Sequence, residues 1–267
     1  MIKAVMTGAS GRMGREIIRE IFASEGITLA AAVEAGGHPC VGESAFRQAG
    51  IDAEGPPIGD NLDRVEGPFD VIIDFSLPSA LEGILEAAEK NGSALIIGST
   101  GHGKEQLERI HDVSARVSCV YAPNMSVGVN ILFHLVREAS RVMGEGFDVE
   151  VVETHHRLKK DAPSGTALKI AEIAASSRGL DPEAISRFGR RGQTGQRPAE
   201  EIGIHSIRGG DEVGEHIVMF DTVGERISIS HRSRSRATFA RGAVMAARWA
   251  SGKPPGLYGM NDVLGLG

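Results

Sequence analysis

The run Gly8-Ala9-Ser10-Gly11-Arg12-Met13-Gly14 constrains the fold of this chain most. It follows a short β-rich run, Ile2–Met6. It opens a segment, Arg12–Ser24, in which Met13, Ile17, Ile18 and Ile21 recur at helical spacing. In a strand–loop–helix setting each glycine has a mechanical task. Gly8 permits the tight turn, Gly11 lets backbone N–H groups approach a pyrophosphate, and Gly14 allows the helix to pack closely on the strand. The helix N-terminus adds partial positive charge where the phosphates would lie. The spacing is G-x-x-G-x-x-G, which departs from the G-x-G-x-x-G fingerprint, so the loop needs support from elsewhere in the chain.

Glu34 gives that support. It ends a second continuous apolar run, Ile27–Val33, about twenty residues beyond the glycines, where a carboxylate would accept hydrogen bonds from the adenosine ribose. Ala35, Gly36 and Gly37 follow it, with no arginine to receive a 2′-phosphate. NADH is therefore the expected cofactor over NADPH, with Arg12 a partial phosphate partner. Phe69–Phe75 and Ala94–Gly98 repeat the buried-strand pattern around a helical stretch, Ser79–Lys90, and Pro39–Gly67 reads as a long irregular connection. Phe75 reads as a core residue. Two more loops at strand ends, Gly98-Ser99-Thr100 and Ala122-Pro123-Asn124-Met125, are placed to reach the nicotinamide through backbone groups and hydroxyls.

Beyond Asn124 the texture changes. Val127–Met143 has one apolar helical stripe, Phe147–Thr154 alternates as a strand, and Ser164–Ser177 is Ala-rich and helical. Three alternating runs follow, Glu201–Arg208, Glu215–Asp221 and Arg226–His231, before a final helix, Ala237–Trp249. The expected fold is α/β, with an N-terminal Rossmann-type parallel-sheet domain and a C-terminal α+β domain with a mixed sheet. Residues 1–126 and 237–267 would form the dinucleotide-binding domain, and residues 127–236 a second domain carrying the substrate site.

With 29 Lys+Arg against 35 Asp+Glu, a nucleic-acid partner is not expected. No segment approaches the roughly 18 uninterrupted apolar residues of a membrane span. Two cysteines cannot build a disulfide framework, so a reducing, cytoplasmic setting is expected. Against this acidic background, His155-His156-Arg157-Leu158-Lys159-Lys160 is a concentrated cationic patch just before Asp161-Ala162-Pro163-Ser164-Gly165-Thr166. Ser164 is a natural N-cap, and the N–H groups of Gly165 and Thr166 suit a carboxylate. The adjacent histidines lack the spacing of a metal pair, no Cys-x-x-Cys is present, and a serine-nucleophile elbow is missing, so neither metal nor covalent catalysis is expected.

These residues resemble the dihydrodipicolinate reductase family of the diaminopimelate–lysine pathway. The resemblance is carried by Gly8–Gly14, Gly98–Gly101, Asn124–Asn130, Arg208–Asp211 and Val213–His216, and above all by Glu153–Ala167. It implies NAD(P)H-dependent reduction of 4-hydroxy-tetrahydrodipicolinate, a cyclic dicarboxylate, by a homotetramer built through the C-terminal sheets, with closure between the two domains. It also implies His155 as catalytic acid/base, Lys159 as proton donor, His156 as a substrate contact, and Gly165 and Thr166 as the carboxylate grip. Ala35 stands where some members carry arginine, and Ser99 where many carry threonine. Two other readings stay open on the sequence. One is a related oxidoreductase acting on an aldehyde or hydroxy acid; the other is a non-catalytic NAD-sensing protein, against which the His155–Lys159 pair counts.

Overall fold

The computed structural model describes residues 1–266. The chain forms two compact units, one of Met1–Val127 together with the segment from Arg236 on, the other of Gly128–Ser235.

The first unit contains β1 (Ile2–Thr7), α1 (Arg12–Ala23), β2 (Ile27–Val33), α2 (Ala45–Gln48), β3 (Ile58–Gly59), β4 (Val71–Asp74), α3 (Leu81–Asn91), β5 (Ala94–Ile97), α4 (Lys104–Ser114) and β6 (Ser118–Tyr121). The second unit supplies α5 (Val127–Met143), β7 (Asp148–His155), α6 (Gly165–Ser176), α7 (Pro182–Ile185), β8 (Ser186–Phe188), β9 (Ile202–Arg208), β10 (Gly214–Thr222) and β11 (Glu225–Ser233). The chain then returns to the first unit with α8 (Ala237–Ala250), β12 (Gly256–Tyr258) and α9 (Met260–Leu264).

In the first unit the strands run β12-β6-β5-β4-β1-β2-β3, and every pairing is parallel. The order reverses between β1 and β4, and the crevice at the carboxyl ends of those two strands is where such sheets bind ligands. The strands are continuous apolar runs because both faces are covered. Ile17, Ile18 and Ile21 of α1 pack with Ala243, Val244 and Ala247 of α8 on one face. Leu81, Leu85 and Ala88 of α3 pack with Ile110 and Val113 of α4 on the other. Within Pro39–Gly67 lie α2, β3 and a single 3-10 turn, Leu62–Arg64; elements of two to four residues carry too little periodicity to be read from sequence.

The second unit holds a mixed sheet, β11-β10-β7-β9-β8, with β10 antiparallel to both β7 and β11, and β9 parallel to β7 and β8. Its alternation is regular. Val149 and Val151 of β7, Ile202 and Ile204 of β9, and Val218 and Phe220 of β10 point inward against Leu132 and Val136 of α5 and Ile170 and Ala174 of α6. The face is apolar for most of its length, then changes character where Glu153, His155 and His216 occupy the same inward positions.

Candidate active site

In the first unit the glycine loop behaves as its chemistry requires. Gly8 has φ +72°, and a side chain there would meet the Phe75 carbonyl at 2.8 Å. A Cβ on Gly14 would lie 2.1 Å from the Gly8 carbonyl oxygen, so only glycine lets α1 approach the loop this closely. The N-cap of α1 is Gly11, with no side-chain cap and no acid in the first turn, which leaves the positive end of the helix available to an anion. Glu34 folds back over the loop: its Oε2 accepts hydrogen bonds from the Ser10 N–H at 2.9 Å and the Ser10 hydroxyl at 2.6 Å. Burial pushes the Glu34 carboxyl up, but these bonds and the Ala35 N–H outweigh it and hold the group below the usual carboxylate range.

These groups border a cavity of about 460 Å³ at the switch point, large enough for much of a dinucleotide. Of the residues expected from sequence, Gly8, Ser10, Gly11 and Glu34 line it. Ala9, Arg12 and Met13 do not: Ala9 is buried in the core, Met13 packs against that core, and Arg12 points to solvent. The loops at Gly98-Ser99-Thr100 and Ala122-Pro123-Asn124-Met125 also stand outside its lining. The side chains of Ala122 and Met125 are in the core, so contacts from that loop must come from its backbone or from Asn124.

Ser99 donates its hydroxyl to Asp74, a carboxylate only 1% exposed that also accepts from Thr7 Oγ1 at 2.8 Å and the Ser76 N–H at 2.9 Å. Asp74 thus ties the ends of β1 and β4 to the loop after β5. Phe75 packs against the core as expected and also lines the cavity, its ring sitting over Gly98, where a Cβ would be 2.2 Å away. Asp60 and Asp63 also border the cavity, on a short turn that the Asn61 side chain holds by accepting the Asp63 N–H at 2.8 Å.

The second unit gathers its titratable groups on the inner face at the end of β7. Glu153 is fully buried, His155 is 8% exposed and His216 is 3% exposed. Glu153 accepts from Arg208 Nη1 at 2.8 Å and Nη2 at 2.7 Å, from the Ser164 N–H at 3.1 Å, and from His155 Nδ1. Burial raises the carboxyl, but Arg208 and its other donors overcome that and hold it at about 2. Burial lowers the His155 pKa, aided by Lys159 and Arg208 and opposed by Glu153. The His216 ring meets the His155 ring edge-on, with centroids 5.3 Å apart, and its Nε2 lies 3.1 Å from Ser164 Oγ.

Ser164 caps α6 by accepting the Ala167 N–H at 3.2 Å, so its own proton is free to be donated to His216. Gly165 and Thr166 form the first turn beyond that cap. Lys159 is largely covered and pairs with Asp161 at 3.0 Å, while His156 anchors the loop through its N–H to the Glu212 carbonyl at 2.7 Å. The structure therefore brings His155, Lys159, His156, Gly165 and Thr166 into one end of one unit. Among the described residues no group of three or more His, Cys, Asp or Glu is placed to hold a metal ion.

Burial pushes His216 down to about 4, and this gives a stability test. Its folded-state pKa lies below the unfolded value near 6.5, so the unfolded chain binds the proton first as pH falls. Unfolding free energy should drop by about 2 kcal/mol from this residue between pH 7 and pH 5. The carboxyl of Glu153, held low instead, adds a further loss only as pH falls from about 4.5 toward about 2. Urea unfolding of wild type and His216→Gln at both pH values measures the first effect; equal pH dependence in the two proteins contradicts it.

The sequence matches the profile of the dihydrodipicolinate reductase N-terminus over residues 2–125 and that of the C-terminus over residues 128–264. The chain belongs to the dihydrodipicolinate reductase family. A relative from Syntrophobacter fumaroxidans named 4-hydroxy-tetrahydrodipicolinate reductase is 48% identical over 266 residues, covering 100% of both chains. One of the same name from Anaeromyxobacter dehalogenans is 47% identical, covering 100% of this chain and 98% of its own. Among solved structures, dipicolinate-bound dihydrodipicolinate reductase from Paenisporosarcina shares the fold with a TM-score of 0.78 at 23% identity, covering 98% of this chain and 99% of its own. Family membership makes the chain an oxidoreductase using a nicotinamide nucleotide, in agreement with the cavity at the β1–β4 switch point.

Proposed function

We propose that this chain reduces 4-hydroxy-tetrahydrodipicolinate to tetrahydrodipicolinate in the diaminopimelate route to lysine, with residues 1–126 and 237–267 binding the nucleotide and residues 127–236 the substrate. The observation that carries the reading is the buried His155, fixed on Glu153 beside Lys159 and the N-terminus of α6. The reduced nicotinamide supplies a hydride to ring C4. Water leaves the 4-hydroxyl position, and one proton is added to the carbon skeleton, so each turnover consumes one NAD(P)H and one proton and releases one water.

His155 is the acid/base that supplies that proton to the carbon skeleton, and Lys159 the donor that restores the proton to His155. His156 contacts the substrate, while the Gly165 and Thr166 N–H groups at the positive end of α6 hold a carboxylate. Gly8, Ser10 and Gly11 follow the pyrophosphate, with Ala9, Arg12 and Met13 holding the shape of that loop, while Glu34 follows the ribose and the loops at 98–100 and 122–125 the nicotinamide. A coupled assay with enzymatically generated substrate, following NADH absorbance, tests the reaction; no oxidation by the full chain contradicts it.

NADH is the preferred cofactor on electrostatic grounds. Glu34, Asp60 and Asp63 line the cavity, and among the described residues no lysine or arginine does. A 2′-phosphate placed beside such carboxylates is opposed by a few kcal/mol before screening. The expected kcat/KM ratio of NADH to NADPH is about 10 or more, and a preference for NADPH contradicts the assignment.

The open face of the second unit's sheet supports a homotetramer. Val152, Ile217 and Met219 lie there beside Glu150 and Thr154, and Ile207 on the same face is 50% exposed. Light scattering should give four times the 28.2 kDa chain mass, and Ile217→Asp should lower it. A monomeric wild type contradicts the assembly. No helix among the described residues is long and apolar enough to cross a membrane, and both cysteines are buried and unpaired, which supports a reducing cytoplasmic setting.

A further inference from the structure

Glu153 has no assigned part in holding the substrate in the reaction above, yet it is the most completely buried carboxylate of the second unit. A buried carboxylate persists only when its lone pairs are filled. Here the donors come from four places: Arg208 at the end of β9, the Ser164 N–H at the start of α6, the Ser206 hydroxyl on β9, and Nδ1 of His155 two residues along β7. An ionised carboxylate accepts and never donates, so the proton between Glu153 and His155 resides on Nδ1. Nε2 is then the ring nitrogen left for chemistry.

Gly214 gives independent support. It stands opposite His155 across the β7–β10 pair, one step beyond the Glu215–Thr154 pair. A Cβ at Gly214 would lie 2.9 Å from His155 Nε2 and 3.3 Å from Cδ2. With no side chain at Gly214 the strand leaves room beside Nε2, while Glu153 occupies the side of Nδ1. Arg208 links this arrangement to the cationic loop, because Nη2 also donates to the Asp161 carbonyl at 2.7 Å, and Asp161 pairs with Lys159.

We propose that Glu153, held by Arg208, is a positioning residue that fixes His155 as its Nδ1–H tautomer with Nε2 directed to the substrate. The proposal rests on His155 being the acid/base, as assigned above. The charged and titratable groups around His155 are Glu153 on its own strand, Arg208 on β9, His216 on β10 with His231 beyond it on β11, and Lys159 with Asp161 in the loop.

Glu153→Gln in the full-length enzyme separates positioning from packing. Arg208 retains the amide oxygen, which turns the amide NH2 toward His155 and makes Nδ1 an acceptor. In 15N-histidine NMR spectra, with His155 assigned by its loss in His155→Gln, wild type should show a protonated Nδ1 and a bare Nε2. Glu153→Gln should invert the two. Its kcat should fall by about 10²-fold with substrate KM changed less than about 3-fold, the size expected when proton transfer alone is impaired. The limb of the pH profile belonging to His155 should move to more acid pH, because a stabilising negative charge is gone. Glu153→Asp, which keeps the charge, should recover part of the rate. A folded Glu153→Gln with the wild-type tautomer and pH profile overturns the proposal. Should His155→Gln retain full turnover while the tautomer inverts as described, the assignment of His155 as acid/base fails and the positioning geometry stands.

Discussion

His155→Ala should lower kcat by roughly 10²- to 10⁴-fold, the range that a positioned acid or base contributes. Lys159→Met should lower it to a lesser degree, because its ammonium already shares Asp161 and acts on the proton supply. Nucleotide affinity should be unchanged in both variants. The nucleotide cavity is lined entirely by residues of the first unit, between Thr7 and Ile84, and no residue of the 155–166 segment borders it. Steady-state kinetics with the dipicolinate precursor, paired with NADH titration by fluorescence, reads the two quantities separately. Near-wild-type turnover in both variants refutes their roles. Equal losses in kcat and NADH affinity would instead indicate a general structural defect.

Gly14→Ala should have the second large effect, through packing. The added methyl would be placed 2.1 Å from the Gly8 carbonyl oxygen and 2.8 Å from that of Ala9, both backbone atoms with little room to give. Gly8 cannot retreat, because its own Cα faces the Phe75 carbonyl across the switch point. Overpacking of this kind costs about 3 kcal/mol, which for a chain of this size lowers Tm by roughly 6–12 °C. The loop must shift to relieve the clash, so NADH affinity should weaken by at least about 10-fold. Gly83→Ala makes the contrast. That glycine lies within α3 with nothing within 4 Å of an added methyl, and alanine there should raise stability by about 1 kcal/mol. Calorimetry and NADH titration of both variants decide the matter; an unchanged Gly14→Ala refutes the close-approach argument.

The nucleotide loop was legible because its signals are local: an apolar strand, a turn that needs a left-handed residue at Gly8, and a helix with isoleucines at 3.6-residue spacing. The capped start of α6 was legible for the same reason, since Ser164 reaches only three residues ahead to Ala167. Even the burial of Glu153 was within reach. In Asp148–His155 the inward positions are Val149, Val151, Glu153 and His155, so a strict period of two already places a carboxylate and an imidazole on an apolar face. The Asp60–Asp63 edge of the cavity was not legible. Its elements are too short to carry a period, and its place beside Glu34 follows from β3 pairing with β2.

By itself, then, the sequence determined the strand–loop–helix units, their caps, and which residues of each strand share a face, because these depend on dihedral preference and periodicity over a few positions. The family resemblance added the reaction. Only the tertiary structure decided which groups meet. Arg208 reaches Glu153 across 55 residues, Ser164 reaches His216 across 52, and Thr7 at the end of β1 and Ser99 in the loop after β5 converge on Asp74. Strand order and register set these pairings, and both are fixed by the burial of whole faces at once, a property of the assembled sheet that no short stretch of chain contains.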